Sequence, residues 1–169
     1  VNQLKAQPRK QGEASFFFYD AHFKNAAVKI LPGEYFVDQE DLLVMTTLGS
    51  CIAACLWDRV AKVGGMNHFM LPEAGKDADS LLGAPARYGT YAMEMLINEL
   101  MKRGAQRRNL EVKIFGGGKI LAQMTDVGKR NIEFAHEYLR AEGLKVTADD
   151  TGDIFPRKVY FFPASGKVR

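Results

Sequence analysis

Cys51-Ile-Ala-Ala-Cys-Leu-Trp-Asp-Arg-Val-Ala-Lys-Val-Gly-Gly-Met-Asn-His-Phe-Met-Leu71 holds two apolar runs, Cys51 to Trp57 and Lys62 to Leu71, around a polar Asp58-Arg59-Val60-Ala61. Runs of this length bounded by turn residues suit buried strands. Read as a hairpin whose turn spans residues 58–61, the segment pairs Trp57 with Lys62, Cys55 with Gly64, Ala53 with Met66 and Cys51 with His68. Asp58 then opens the turn, where its carboxylate can bind the turn backbone. Cross-strand partners share a face, so a thiol and an imidazole would lie within about 4.5–5.5 Å at Cβ. A one-residue slip would send His68 to the other face. Residues 51–57 also suit a helix, and Gly64-Gly65 weakens the strand reading unless another backbone or a substrate passes close by.

Upstream, Phe16 to Tyr19, Val28 to Leu31, Glu34 to Val37 and Leu42 to Thr47 read as strands, with Pro32-Gly33 as a turn. Downstream, Met93, Leu96, Ile97, Leu100 and Met101 recur with helical spacing and predict an inward stripe, with Glu94, Asn98, Glu99 and Lys102 on the far side. Leu110 to Phe115 is a strand ending in Gly116-Gly117-Gly118. A second helix from about Val127 to Glu142 turns Ile132, Ala135 and Leu139 inward, and Leu144 to Ala148, Lys158 to Phe162 and Lys167-Val168 complete the strands. The order predicts a single α+β domain, a layered sandwich of mixed and antiparallel strands with two main helices packed on the sheet. Residues 1–14 are polar and predict a flexible segment before a domain of residues 15–169. Glu73 to Pro85 reads as a long surface loop.

Composition narrows the function. At 169 residues with 47% hydrophobic and 25% charged residues, the chain is of the soluble globular kind. No stretch reaches the roughly 18–20 apolar residues of a membrane span, and residues 1–15 carry no hydrophobic secretory core. The net charge of +3 is spread along the chain. Its densest basic pairs, Lys102-Arg103 and Arg107-Arg108, lack interleaved aromatics, which argues against nucleic acid. Two cysteines and no repeated Cys/His spacing predict a reduced, cytoplasmic protein without structural zinc. His22 and His136 have no clustered ligands. Gly116-Gly117-Gly118-Lys119 lacks phosphate-loop spacing, since Ile120 stands where a hydroxyl is needed. Asp149-Asp150 before Gly152 reads as a solvated turn.

A nucleophile fits at Cys51. Gly49-Ser50 gives a bend whose backbone N–H groups can face an oxyanion, and an imidazolium beside the sulfur would favour thiolate near neutral pH. Cys55 falls about 13 Å further along the strand, too far for a disulfide, and reads as core.

The blocks Thr46-Thr-Leu-Gly-Ser-Cys-Ile-Ala-Ala-Cys-Leu-Trp-Asp58 and Gly64-Gly-Met-Asn-His-Phe-Met-Leu-Pro72 resemble the signature of the CheD family of chemoreceptor glutamine deamidases. Phe18-Tyr-Asp20, Ala27 to Tyr35, Arg87 to Met93, Lys113 to Gly118, Val127 to Asn131 and Asp149 to Gly152 are similar to its other blocks. The resemblance implies a papain-like Cys/His site with Cys51 as nucleophile, His68 as base and an upstream threonine as third member. An ungapped match to one subgroup puts Met45 at that third place; Thr46 and Thr47 are the available hydroxyls, and Thr46 is favoured. It further implies hydrolysis of glutamine side chains on the helical cytoplasmic domain of a chemoreceptor, no cofactor or metal, and docking to a CheC-type phosphatase. A transglutaminase or protease could use the same thiol, and a non-catalytic chemotaxis binding module is the remaining alternative.

Overall fold

The computed structural model describes residues 1–72, 84–123 and 126–169, with side chains described outside 84–86. Among the described residues, ten strands divide into two five-stranded sheets. The first runs in the order β1 (Phe16–Asp20), β2 (Asn25–Lys29), β4 (Leu43–Leu48), β9 (Arg157–Phe162) and β10 (Lys167–Val168). The second runs β3 (Tyr35–Asp38), β6 (Val63–Asn67), β5 (Ile52–Asp58), β7 (Leu110–Gly116) and β8 (Lys145–Thr151). β2–β4 and β7–β8 are parallel and the other pairs antiparallel. A short helix α1 (Asn2–Ala6) precedes them; the two long helices are α2 (Ala84–Lys102) and α3 (Val127–Ala141). The α+β expectation therefore holds, with the strands in two layers.

Alternation along β5 explains how three layers stack. Ile52, Ala54 and Leu56 face α2 and α3 and join Val37, Met93, Leu96, Ile97, Leu100, Val112 and Leu139 in one core. Ala53 and Cys55 face the other sheet and join Val28, Phe36, Val44, Leu48, Met66, Val159 and Phe161 in a second. A strand buried on both faces loses polar alternation, which is why residues 51–57 also matched a helix. Gly64 and Gly65 serve this stacking. A Cβ on Gly64 would sit 2.8 Å from the Pro163 carbonyl oxygen, and one on Gly65 2.8 Å from Leu96. The glycine pair is thus the close backbone approach that permits a strand here.

Several expectations are corrected. The β5–β6 hairpin pairs Asp58 with Val63, Trp57 with Gly64 and Cys55 with Met66, two residues away from the expected register. The loop is residues 59–62, because Asp58 Oδ1 accepts from the Val60 and Ala61 amides and Lys62 adopts a left-handed φ of 56°. Met101 is exposed, lying past the edge of the α2 stripe. Glu99 is buried instead, gripped by Lys10 at 2.7 Å and Lys102 at 3.0 Å. The N-terminal residues that reach it also place Arg9 over the Phe17 ring and pair the Ala14 amide with the Tyr35 carbonyl. Asp149 and Asp150 lie in β8 rather than a turn, and pair with His136 and Arg157.

Candidate active site

Cys51 stands one residue before β5, packs against the inter-sheet core and is half-buried. Beyond the hairpin the same register continues through one isolated pair, Ile52 with Phe69, which exchange two backbone hydrogen bonds of 2.9 Å. In that register Ala53 stands opposite His68 and Cys51 opposite Met70. The displacement of two preserves face parity, so Cys51 and His68 share a face as diagonal neighbours, about 7–8 Å apart along such a ladder. The sequence arithmetic had the right face and the wrong partner. No hydrogen bond joins the thiol to the imidazole among the described residues.

His68 is 4% exposed and held from both sides. Its amide donates to the Glu34 carbonyl and its carbonyl accepts from Gly33, which ties it to the turn before β3. The ring reaches into the opposite sheet, where Thr46 Oγ1 lies 2.7 Å from Nδ1. The same hydroxyl is 2.8 Å from the Ile30 carbonyl. A carbonyl only accepts, so the hydroxyl proton goes to Ile30 and Thr46 receives Nδ1–H from His68. The neutral ring therefore carries its proton on Nδ1 and leaves Nε2 with a free lone pair. That Nε2 is buried and has no partner among the described residues. Thr46, which alternates inward with Val44 and Leu48 on β4, is the threonine that meets the histidine; Thr47 is exposed on the other side.

Burial sets the charge state. It lowers His68 from 6.5 to about 4, only partly opposed by hydrogen bonding toward Ile30. It also raises the Cys51 thiol above its ordinary value. Both shifts favour neutral forms. Their direction is opposite to that of a thiolate–imidazolium pair. Cys55 is fully buried, and burial raises its thiol further, so it is inert core as expected.

The bend before Cys51 is braced by residues to which the sequence reading gave no role. Gly117 N donates to the Cys51 carbonyl at 2.8 Å and Gly118 N to the Gly49 carbonyl at 2.9 Å. Gly116 has φ of +106°, and a Cβ there would lie 2.1 Å from the Cys51 carbonyl oxygen. The glycine run is thus the back wall of the Cys51 bend. Asn131 of α3 is wholly buried and binds both Ser50 and Leu71. Its signal was a polar residue on the apolar stripe that includes Ala135 and Tyr138. Asn67 Oδ1 similarly accepts from the Ala54 amide.

A cavity of about 170 Å³ adjoins His68, lined also by Gly33, Glu34, Asn67, Tyr88 and Tyr91, but Cys51 does not line it. The long loop expected from Glu73 to Pro85 lies, for residues 73–83, outside the described residues. His22 is exposed and stacks edge-on with Phe23. Among the described residues no cluster of His, Cys, Asp and Glu could hold a metal. None of their helices is long and apolar enough to cross a membrane.

A family model described as CheD chemotactic sensory transduction matches residues 70–169. A probable chemoreceptor glutamine deamidase CheD 1 of Albidiferax ferrireducens is 57% identical over 170 residues, covering 99% of this chain and 70% of that protein. The chain belongs to the CheD family. The relatives matter for the site, because the match to the family model covers this chain only from Met70 on, while the relatives' alignments extend over nearly the whole chain. The probable CheD deamidase of Herminiimonas arsenicoxydans is 56% identical and that of Janthinobacterium 54%, each covering 94% of this chain and 79% of the relative.

Proposed function

We propose that this CheD-family chain is a chemoreceptor glutamine deamidase, a protein-glutamine glutaminase in which Cys51 is the nucleophile, His68 the base and Thr46 the residue that orients the base. The observation that carries this reading is the tautomer that Thr46 imposes. With Nδ1–H held, the bare Nε2 is the only ring nitrogen able to take the thiol proton. The contact missing in the free protein forms when substrate enters, as catalytic hydrogen bonds commonly tighten in the substrate complex.

The thiol proton passes to His68 Nε2 as sulfur attacks the side-chain amide carbon of glutamine. The C–S bond forms, the carbonyl π pair moves to oxygen, and the Cys51 N–H faces that oxyanion. Collapse expels the amine, which leaves as ammonia with the proton from His68, and a thioester remains. Water, deprotonated by His68, then cleaves the thioester to glutamate and free thiol. The use of the pair is papain-like, and no step calls on a metal or cofactor.

The substrate of this reading is the helical cytoplasmic domain of a chemoreceptor, which places the chain in the cytoplasm. Docking to a CheC-type phosphatase belongs to the same reading, as does a catalytic domain of residues 15–169 preceded by the segment 1–14. Incubation with a receptor cytoplasmic fragment tests it: ammonia should appear in step with amide-to-acid conversion in the receptor's intact mass. Cross-linked or cleaved receptor would point instead to a transglutaminase or protease. Phosphatase binding without any ammonia would leave only a binding module.

A further inference from the structure

The ladder between Cys51 and His68 is interrupted in a regular way. Ile52 and Phe69 form a fully hydrogen-bonded pair. In an antiparallel ladder the next such pair lies two residues on, so Ser50 and Leu71 should bond directly. They do not. The carboxamide of Asn131 stands between them: Nδ2 donates to the Ser50 carbonyl at 2.8 Å, and Oδ1 accepts from the Leu71 amide at 3.0 Å. A side-chain amide from α3 thus replaces one backbone bond and holds the strands apart at Cys51 and Met70.

The wedge also fixes a direction. Ser50 C=O and Cys51 N–H belong to one planar trans peptide and point opposite ways. Anchoring the carbonyl to α3 turns the Cys51 N–H away from α3, and among the described residues nothing accepts it. The Cys51 carbonyl is separately held by Gly117. The residue is therefore pinned on both sides while its amide proton stays unused.

We propose that Asn131 is a positioning residue for the deamidation. Its carboxamide orients the Ser50–Cys51 peptide so that the Cys51 N–H meets the oxyanion. This rests on Cys51 being the nucleophile. Asn131→Asp keeps an oxygen for Leu71 and removes the donor to Ser50; Asn131→Ala removes both.

Two reactions of the same thiol separate this role from a merely structural one. Acyl transfer builds an oxyanion, whereas alkylation by iodoacetamide does not. In full-length folded variants kcat for deamidation should fall about 100-fold or more, as for loss of one oxyanion donor, with KM and the alkylation rate within about threefold. An equal fall in alkylation and kcat, or an unchanged kcat, overturns the proposal. If Cys51→Ala still deamidates, it is the nucleophile reading that fails.

Should both variants fail to fold, amide hydrogen exchange on the wild-type chain decides. The Cys51 amide should exchange freely, then slow about tenfold or more in the hemithioacetal with a receptor peptide whose target carboxamide is an aldehyde. In the iodoacetamide thioether it should stay fast. Protection already present in the free protein, or no slowing in the hemithioacetal, overturns the proposal.

Discussion

Replacing Thr46 by valine exchanges a hydroxyl for a methyl of similar size at a site with no exposed surface. Two hydrogen bonds go, the 2.7 Å contact with His68 Nδ1 and the 2.8 Å bond to the Ile30 carbonyl. Each orphaned buried group costs about 1–3 kcal/mol. The loss at Ile30 falls on stability alone. The loss at His68 also frees the ring to rotate or to exchange tautomers, which puts a proton where Nε2 needs a lone pair. If that 1–3 kcal/mol falls on the transition state, kcat drops by about 5- to 150-fold. Deamidation of a receptor fragment, corrected for folded fraction by circular dichroism, measures it. Thr46→Ser keeps the hydroxyl and should recover most of the activity, while Thr47→Val alters an exposed position and should leave kcat within about twofold. A Thr46→Val enzyme with kcat within about twofold of wild type, or a Thr47→Val enzyme equally impaired, would refute the reasoning.

His68 makes the fold acid-sensitive. The unfolded chain protonates it below about 6.5 and the folded chain only below about 4, so stability falls as pH drops through that window and no further below it. The loss is on the order of 3 kcal/mol; urea titrations should show it in wild type and not in His68→Gln, and an identical pH slope in both would contradict it. Because burial raises the Cys51 thiol above 9.0, its intrinsic alkylation rate in a His68→Gln background should still climb as pH passes 9.0. A plateau near neutrality would mean a standing thiolate. Gly116→Ala meets a left-handed φ and the Cys51 carbonyl at 2.1 Å, so it should destabilise by about 2–4 kcal/mol in urea melts. A neutral effect would show that the bend is not braced there.

Much of this was legible before any coordinates. The stripe Met93, Leu96, Ile97 and Leu100 follows from helical spacing alone, and face parity alone put Cys51 and His68 together. The hairpin register was not, because Asp58 could open a four-residue loop of 58–61 or stand just before one of 59–62, and only the left-handed Lys62 decides. Thr46 over Thr47 could not be read either. A β-strand places adjacent residues on opposite faces, and which face looks inward depends on a second sheet that no local pattern announces. Glu99 looked solvated because its partner, Lys10, is distant in sequence. Asn131 broke an apolar stripe, yet its purpose depends on a ladder contributed by two other segments. Proximity of thiol and imidazole suggests charge, but burial acts against both ions, and that penalty is not carried by sequence spacing.

The central claim is that Cys51 forms a thioester with a receptor glutamine side chain. Acid quenching of wild-type protein during turnover, followed by peptide mass spectrometry, tests it most directly. The account predicts a Cys51-containing peptide joined to a receptor peptide with loss of ammonia, and neither adduct nor deamidation in Cys51→Ala. An adduct on Cys55, or deamidation that persists in Cys51→Ala, would contradict it.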